Sequence, residues 1–155
     1  MSLKKIITAF SISFIGVLFI LSIGFTPDDS QAKNKFEVLI VENLSNSDFK
    51  NVDLSGQDLS GKNLSNADFK DSINFGTNYR LSDLTDTNFE GANLSGADFA
   101  EADLSGADFS NSDLTGANFR NANLYNANFE NAKLIGVDLS NANIQSTNFE
   151  NADLS

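Results

Sequence analysis

The stretch ANLSGADFAEADLSGADFSN, residues 92–111, contains four consecutive pentads in which a small residue, an aspartate or asparagine, and a leucine or phenylalanine follow one another. The same five-residue spacing of apolar residues runs from about Glu42 to Ser155 and is broken only at Asn74. Amphipathic helices place apolar residues every three or four positions and half-buried strands every second one, so a period of five fits neither. The apolar side chains can share one side only if the chain bends once in every pentad.

The residues around each central Leu or Phe favour such bends. Asp or Asn usually precedes the centre, as Asp98 precedes Phe99. Gly or Asn often stands two positions after the centre, as Gly96 does after Leu94. These residue types bond to their own backbone or tolerate a positive φ. The position two before the centre is usually small, so each pentad offers one large and one small inward side chain. The pattern predicts a narrow solenoid.

Stacking the sequence at multiples of twenty makes its columns nearly uniform. One column holds only Phe, a second holds Leu with one Ile, and a third holds only Gly: Phe49, Phe69, Phe89, Phe109, Phe129 and Phe149; Leu44, Leu64, Leu84, Leu104, Leu124 and Ile144; Gly56, Gly76, Gly96, Gly116 and Gly136. A period of ten would force Leu59 and Leu139 into the Phe column. Four bends per turn predict a square cross-section, with like residues about 4.8 Å apart along the axis.

The pattern Ala-(Asp/Asn)-(Leu/Phe)-x-x, as in residues 97–101, resembles the pentapeptide-repeat family over residues 42–155. The resemblance implies an all-β fold, a right-handed quadrilateral β-helix, in which the central residue and the small residue point inward. At twenty residues per coil, residues 44–155 give a pentapeptide-repeat solenoid of about 5–6 coils.

The N-terminal part has a different composition. An apolar run at residues 6–25 follows two lysines and is ended by Pro27, and small residues stand before a cleavage position after Ala32. This predicts a signal peptide over residues 1–32, with an uncleaved N-terminal anchor as the alternative, since the run is long enough to span a bilayer. Both interpretations predict an exported protein, periplasmic, lumenal or secreted, whose contact with a membrane is limited to that segment. Residues 33–43 are expected to cap the first coil, because solenoid ends otherwise expose apolar side chains.

Departures from the repeat are the candidate contact positions. Asn74 stands at an inward position and must find hydrogen bonds. We expect a local bulge that turns Ile73 or Phe75 inward, with a binding notch at Asn74 as the alternative. In the first coils, Glu42 and Lys62 stand at small inward positions twenty residues apart, and we expect them either to pair or to swing out to solvent.

Four apolar residues stand at positions that should face solvent. They are Phe75, Leu81, Tyr125 and Ile135. Isolated exposed apolar residues are common, so a contact surface is one interpretation and an ordinary surface is the other.

Composition argues against catalysis. The chain has no His and no Cys, which removes a thiol nucleophile, a disulfide and the usual activator of a serine. The repeat supplies carboxylates on every coil, so pairs of them carry no specificity. We predict no catalytic, cofactor-binding or metal-ligating residue. Weak association of Ca²⁺ with stacked carboxylates stays open as an alternative.

The net charge of −11 and the lack of a basic patch argue against nucleic-acid binding, since the chain would repel phosphates. The leading hypothesis is a non-catalytic exported scaffold or protein-interaction module, whose partner is an unknown protein or cell-envelope component. End-to-end association through an uncapped C-terminal coil is a further expectation. The alternative is an acidic DNA mimic acting on a type II topoisomerase such as gyrase, as the resemblance to gyrase-protecting members implies. Predicted export and the spread of acids over four columns weigh against it.

Overall fold

The computed structural model describes residues 42–155 of the chain. The predicted signal peptide or anchor at residues 1–32 lies outside the described residues, as does the predicted cap except for its last two positions. Asn43 already bridges to Asn63, so the end of the predicted cap belongs to the first coil. No helix within residues 42–155 is long and apolar enough to cross a membrane.

The described chain winds into 20-residue coils that stack in parallel. Bridges always join residues twenty positions apart, from Asn43–Asn63 at one end to Lys133–Asp153 at the other. We number the coils from residue 42, so that coil 2 is residues 62–81 and coil 6 is residues 142–155. The four pentads of each coil are sides 1 to 4. The twenty-residue period read from the sequence is therefore confirmed.

The coils are built from single-residue bridges rather than from extended strands in the part of the chain that the structure describes. Each bridge is followed by a two-residue turn, closed by a bond such as that from Ala97 N–H to the Leu94 carbonyl at 3.0 Å. The second turn residue has a positive φ, as at Gly96 (φ 67°) and Asn111 (φ 60°). Strands cannot lengthen because the chain bends at every fifth residue.

The recurring Asp and Asn residues act mainly in the turns. The Asp53 carboxylate accepts the N–H of Ser55 at 3.0 Å and its hydroxyl at 2.7 Å. The hydrogen bonds from Ser55 lower the pKa of Asp53. Where Asn follows Asp in a column, its amide also joins two coils, as Asn123 Nδ2 donates to Asp103 Oδ1 at 3.0 Å. Side-chain bonds thus hold both the turn and the stack.

Stacked aromatic rings fill the interior on sides 2 and 4. Ring centroids of successive coils lie 4.7 Å apart at Phe49–Phe69 and 5.2 Å apart at Phe129–Phe149, as the predicted coil spacing requires. Rings of the two sides meet edge to face, with Phe99 and Phe109 5.7 Å apart. Aromatic pairs prefer both geometries, and each pair stabilises by about 0.5–1.5 kcal/mol beyond burial.

The two ends of the described solenoid differ. The interior residues Leu44 and Leu59 of coil 1 are buried, whereas Ile144 and Leu154 of coil 6 are 50% and 63% exposed. The backbone N–H groups of Ile144 and Leu154 also donate to no carbonyl of residues 42–155, because no described coil follows them. Interior surface and backbone donors are therefore accessible at the coil 6 end.

Glycine meets different surroundings at two corners with the same backbone conformation. Gly91 and Gly96 both have a φ of 67°. A Cβ atom added at Gly91 would lie 2.5 Å from Oδ1 of Asp71, whereas one added at Gly96 would meet nothing within 4 Å. The Asp71 side chain thus leans over the glycine of the next coil.

Candidate interaction surface

Side 3 of coil 2 has its polarity inverted. Its inward positions carry Ser72 and Asn74, which are buried, and its outward positions carry Ile73 and Phe75, which are 45% and 61% exposed. The backbone keeps the ordinary register, since Asn74 N–H donates to the Asn93 carbonyl at 2.7 Å. The expected bulge is therefore wrong, and neither Ile73 nor Phe75 turns inward. Because Asn74 is fully buried, its side chain cannot form a notch for a partner.

A chain of hydrogen bonds stabilises the inward asparagine. The Tyr79 hydroxyl donates to Asn74 Oδ1 at 2.8 Å, and Asn74 Nδ2 donates to Ser72 Oγ at 2.6 Å. Ser72 Oγ in turn donates to the Phe69 carbonyl at 2.5 Å. Burial raises the pKa of Tyr79 well above its usual value, so the phenol stays protonated and acts as a donor. Because both the oxygen and the nitrogen of the Asn74 amide form hydrogen bonds, the side chain can stay buried.

Tyr79 also keeps its place in the aromatic core. Its ring stacks on Phe99 with centroids 4.9 Å apart and meets Phe89 edge to face at 5.8 Å. Within residues 42–155, no buried side-chain nitrogen or oxygen lacks a hydrogen-bond partner. The polar inversion is thus accommodated by a hydroxyl that the neighbouring column supplies.

Leu81, the last residue of coil 2, is a second departure. Its φ is 60° and its side chain is 61% exposed. A left-handed conformation costs a non-glycine residue roughly 1–2 kcal/mol. Asn121, at the same position of coil 4, adopts this conformation more readily because asparagine tolerates it. Leu81 gains little burial in return, so neither packing nor backbone preference accounts for a leucine here.

The sequence predicted that Phe75 and Leu81 face solvent, and both lie on coil 2. Ile73, which the sequence did not assign to the surface, lies on the same coil. Ile73 and Phe75 lie on side 3, whereas Leu81 is the last residue of side 4. We call Ile73 and Phe75 the coil 2 patch. Tyr125 is exposed and Ile135 is half-buried, but both lie on coil 5. At strand spacing, three coils are on the order of 14 Å, so these two residues do not join the patch.

Most basic side chains are already neutralised by an acid one coil away. In residues 42–155, five of the six form such ion pairs: Lys50–Asp68, Lys70–Glu90, Arg80–Glu101, Arg120–Asp138 and Lys133–Asp113. The sixth, Lys62, is half-buried, and Glu42 is exposed. The ion pairs of the described coils do not join these two residues, so the pairing alternative is wrong for them. Apart from Lys62, the unpaired charges of the described coils are carboxylates.

Two of these unpaired carboxylates flank Ile73. Asp53 is its bridge partner in coil 1, and Asp71 stands two residues before it at the corner. Neither forms an ion pair with a basic residue of the described coils. Because hydrogen bonds from Ser55 lower the pKa of Asp53, that carboxylate is charged at neutral pH. The coil 2 patch therefore combines exposed apolar side chains with the unpaired Asp53 carboxylate, while Asp71 interacts electrostatically with the neighbouring Lys70.

The described residues contain no group of three or more His, Cys, Asp or Glu side chains that could hold a metal ion. The acids Asp98, Asp103, Asp108 and Asp113 lie in four different bridge columns. Negative charge is thus spread around the coils rather than gathered into one stripe.

Parallel coils with four turns each and an interior of stacked Leu and Phe define a β-helical repeat protein. Two family models match the chain, "Pentapeptide repeat region" at residues 82–155 and "Pentapeptide repeats (8 copies)" at residues 43–73. The chain belongs to the pentapeptide-repeat family. No curated protein matches it.

Solved structures of pentapeptide repeat proteins resemble the chain. Rfr23 from the cyanobacterium Cyanothece 51142 has a TM-score of 0.73 at 20% identity, over 81% of this chain and 100% of Rfr23. HetL from Nostoc sp. strain PCC 7120, involved in heterocyst differentiation regulation, has a TM-score of 0.54 at 26% identity, over 71% of this chain and 56% of HetL. A protein from the Arabidopsis thaliana thylakoid lumen is 39% identical over 69% of this chain and 71% of its own, with a TM-score of 0.46.

Proposed function

We propose that this chain is a non-catalytic scaffold or protein-interaction module that is exported and contacts a protein or a cell-envelope component through one side of its β-helix. The observation that carries this proposal is the coil 2 patch, where Ile73 and Phe75 are exposed while polar residues occupy the interior beneath them. Large apolar groups on a surface that the repeat otherwise makes polar indicate a contact site. The right-handed winding that the family resemblance implies belongs to the same proposal.

Export rests on the composition of residues 1–32, which we propose to be a signal peptide cleaved after Ala32. End-to-end association through coil 6 is a separate proposal. It is supported by the exposed Ile144 and Leu154 side chains of coil 6.

The acidic DNA-mimic alternative has weaker support. Duplex DNA presents a regular array of phosphates, whereas the acids here are spread over all four sides and several are paired with bases. A cytoplasmic location would favour this alternative, and inhibition or protection of gyrase in a supercoiling assay would test it.

The scaffold proposal is tested by fractionation and capture in the source organism. A tagged full-length chain is compared with Phe75→Ser, which gives side 3 its usual outward serine, and with Tyr125→Ser on coil 5 as the matched control. We expect the chain in the exported fraction, with a partner that Phe75→Ser loses and Tyr125→Ser retains. A cytoplasmic location, or the same captured proteins for all three chains, would contradict the proposal.

A further inference from the structure

Coil 2 places apolar side chains outside in two places, on side 3 and at the end of side 4. Side 3 is inverted, so Ile73 and Phe75 are exposed and the interior below them needs a dedicated hydrogen-bond chain. Leu81 adopts a left-handed conformation that leucine disfavours, and its side chain stays outside. Because a coil runs around all four sides and Leu81 ends side 4, the inversion indicates a contact site on side 3, at Ile73 and Phe75.

The charge beside the patch indicates what the site would bind. Asp53 bridges to Ile73 and forms no ion pair in the described coils, whereas Asp71, two residues before Ile73, interacts electrostatically with the neighbouring Lys70. By contrast, the Asp113 carboxylate on the same side of coil 4 is neutralised by Lys133 at 3.2 Å. A partner with a lysine or arginine next to an apolar side chain would complement both the Asp53 carboxylate and the patch.

A second copy of this chain fits the patch poorly. It would bring the same carboxylates opposite each other, and like charges juxtaposed at an interface cost several kcal/mol. One side of the rod is also small, since six coils by three extended residues give on the order of 27 Å by 10 Å. A stable interface takes about 800 Å² from each partner. The surface suits a short segment rather than a rigid body of this size.

We propose that the coil 2 patch binds an extended, basic polypeptide segment in which apolar residues alternate with lysine or arginine. Its apolar side chains pack on Ile73 and Phe75, and a cation lies near Asp53, the bridge partner of Ile73. In an extended segment, alternate side chains point to the same face, so one face can be apolar and its edges cationic. This inference rests on the proposed scaffold function and adds the site and the chemistry of the partner.

The probe is a fluorescent peptide of four Leu-Lys repeats, compared with one of four Leu-Glu repeats and titrated by fluorescence anisotropy. We expect saturable binding of the Leu-Lys peptide to the full-length chain. Phe75→Ser should weaken it about tenfold, as for a contact hot spot. Asp53→Asn should weaken it about threefold, and Asp103→Asn, the same charge change on side 1, should leave it within about twofold. Thermal unfolding of each variant checks that the fold is kept.

Several results would overturn the inference. These are equal binding to the wild type and Phe75→Ser, equal loss in Asp53→Asn and Asp103→Asn, equal binding of the Leu-Glu peptide, or no saturable binding. The first two would mean that general charge attraction explains the binding. If the capture experiment still yields a partner that depends on Phe75, the scaffold function stands and only the basic chemistry of the partner is wrong.

Discussion

The buried pair of Asn74 and Tyr79 gives the most informative stability experiment. Tyr79→Phe removes the hydroxyl and leaves Asn74 Oδ1 buried without its 2.8 Å bond. Asn74→Leu restores the usual column residue but leaves the Tyr79 hydroxyl unpaired. A buried polar group that loses its partner costs about 1–3 kcal/mol, so each single variant should be destabilised by that amount.

The double variant is expected to behave differently from the sum. It places leucine beside phenylalanine, as Leu94 and Phe99 already do in coil 3. Replacing both members of a buried polar pair with well-packed apolar groups is often neutral or stabilising. The free energy of unfolding of the double variant should therefore lie within about 1 kcal/mol of the wild type or above it. The coupling energy between the two sites should be about 2 kcal/mol or more.

The assay is denaturant unfolding followed by circular dichroism, with the slopes compared to confirm that the same transition is observed. Additive effects of the two substitutions would refute the reasoning, since they would mean that the hydrogen bond contributes nothing specific. A double variant less stable than either single one would also refute it, because the interior would then require the polar pair.

Three further predictions concern the stability of the coils. Gly91→Ala should be more destabilising in thermal unfolding than Gly96→Ala, because both share the same φ but only Gly91 lies under a carboxylate; equal losses would contradict this. Phe109→Ala, in the middle of the aromatic stack, should lower the free energy of unfolding by about 3–5 kcal/mol, and a loss below about 1 kcal/mol would contradict the core described here. Because hydrogen bonds from Ser55 lower the pKa of Asp53, its stabilising effect is complete above the unfolded value of 3.8 and is lost as pH falls through the lower folded value. Unfolding midpoints of the wild type should exceed those of Asp53→Ala by less at pH 3 than at pH 6, and an equal difference at both would contradict the assignment.

Sequence periodicity predicted the solenoid well because the same physical constraint repeats in every pentad. One misread position cannot shift columns that five or six coils define together. The stacking distance, the inward Leu and Phe residues and the turn role of Asp and Asn all follow from this repetition. The sequence did not show that single-residue bridges replace extended strands, because this depends on how closely the turns follow one another.

The candidate site was harder to predict because it depends on a single position and its neighbours. Asn74 alone indicated an unsatisfied inward group, and so a bulge. What keeps it in place is the hydroxyl of Tyr79, which the sequence presents as an ordinary aromatic member of the next column. The available signal was a tyrosine in a column that otherwise holds phenylalanine and leucine, one pentad after an inward asparagine. The exposure of Ile73 followed once the register was known.

The central claim is that side 3 of coil 2 has polar residues inside and apolar residues outside. Thiol labelling tests this claim most directly because the chain has no native cysteine. Ile73→Cys and Phe75→Cys should react with a thiol reagent at least as fast as Ser95→Cys, the half-buried outward control on coil 3. Leu94→Cys is the inward control and should react slowly. If Ile73→Cys or Phe75→Cys were as slow as Leu94→Cys, that side chain would point inward, and the account of the coil 2 patch would be contradicted.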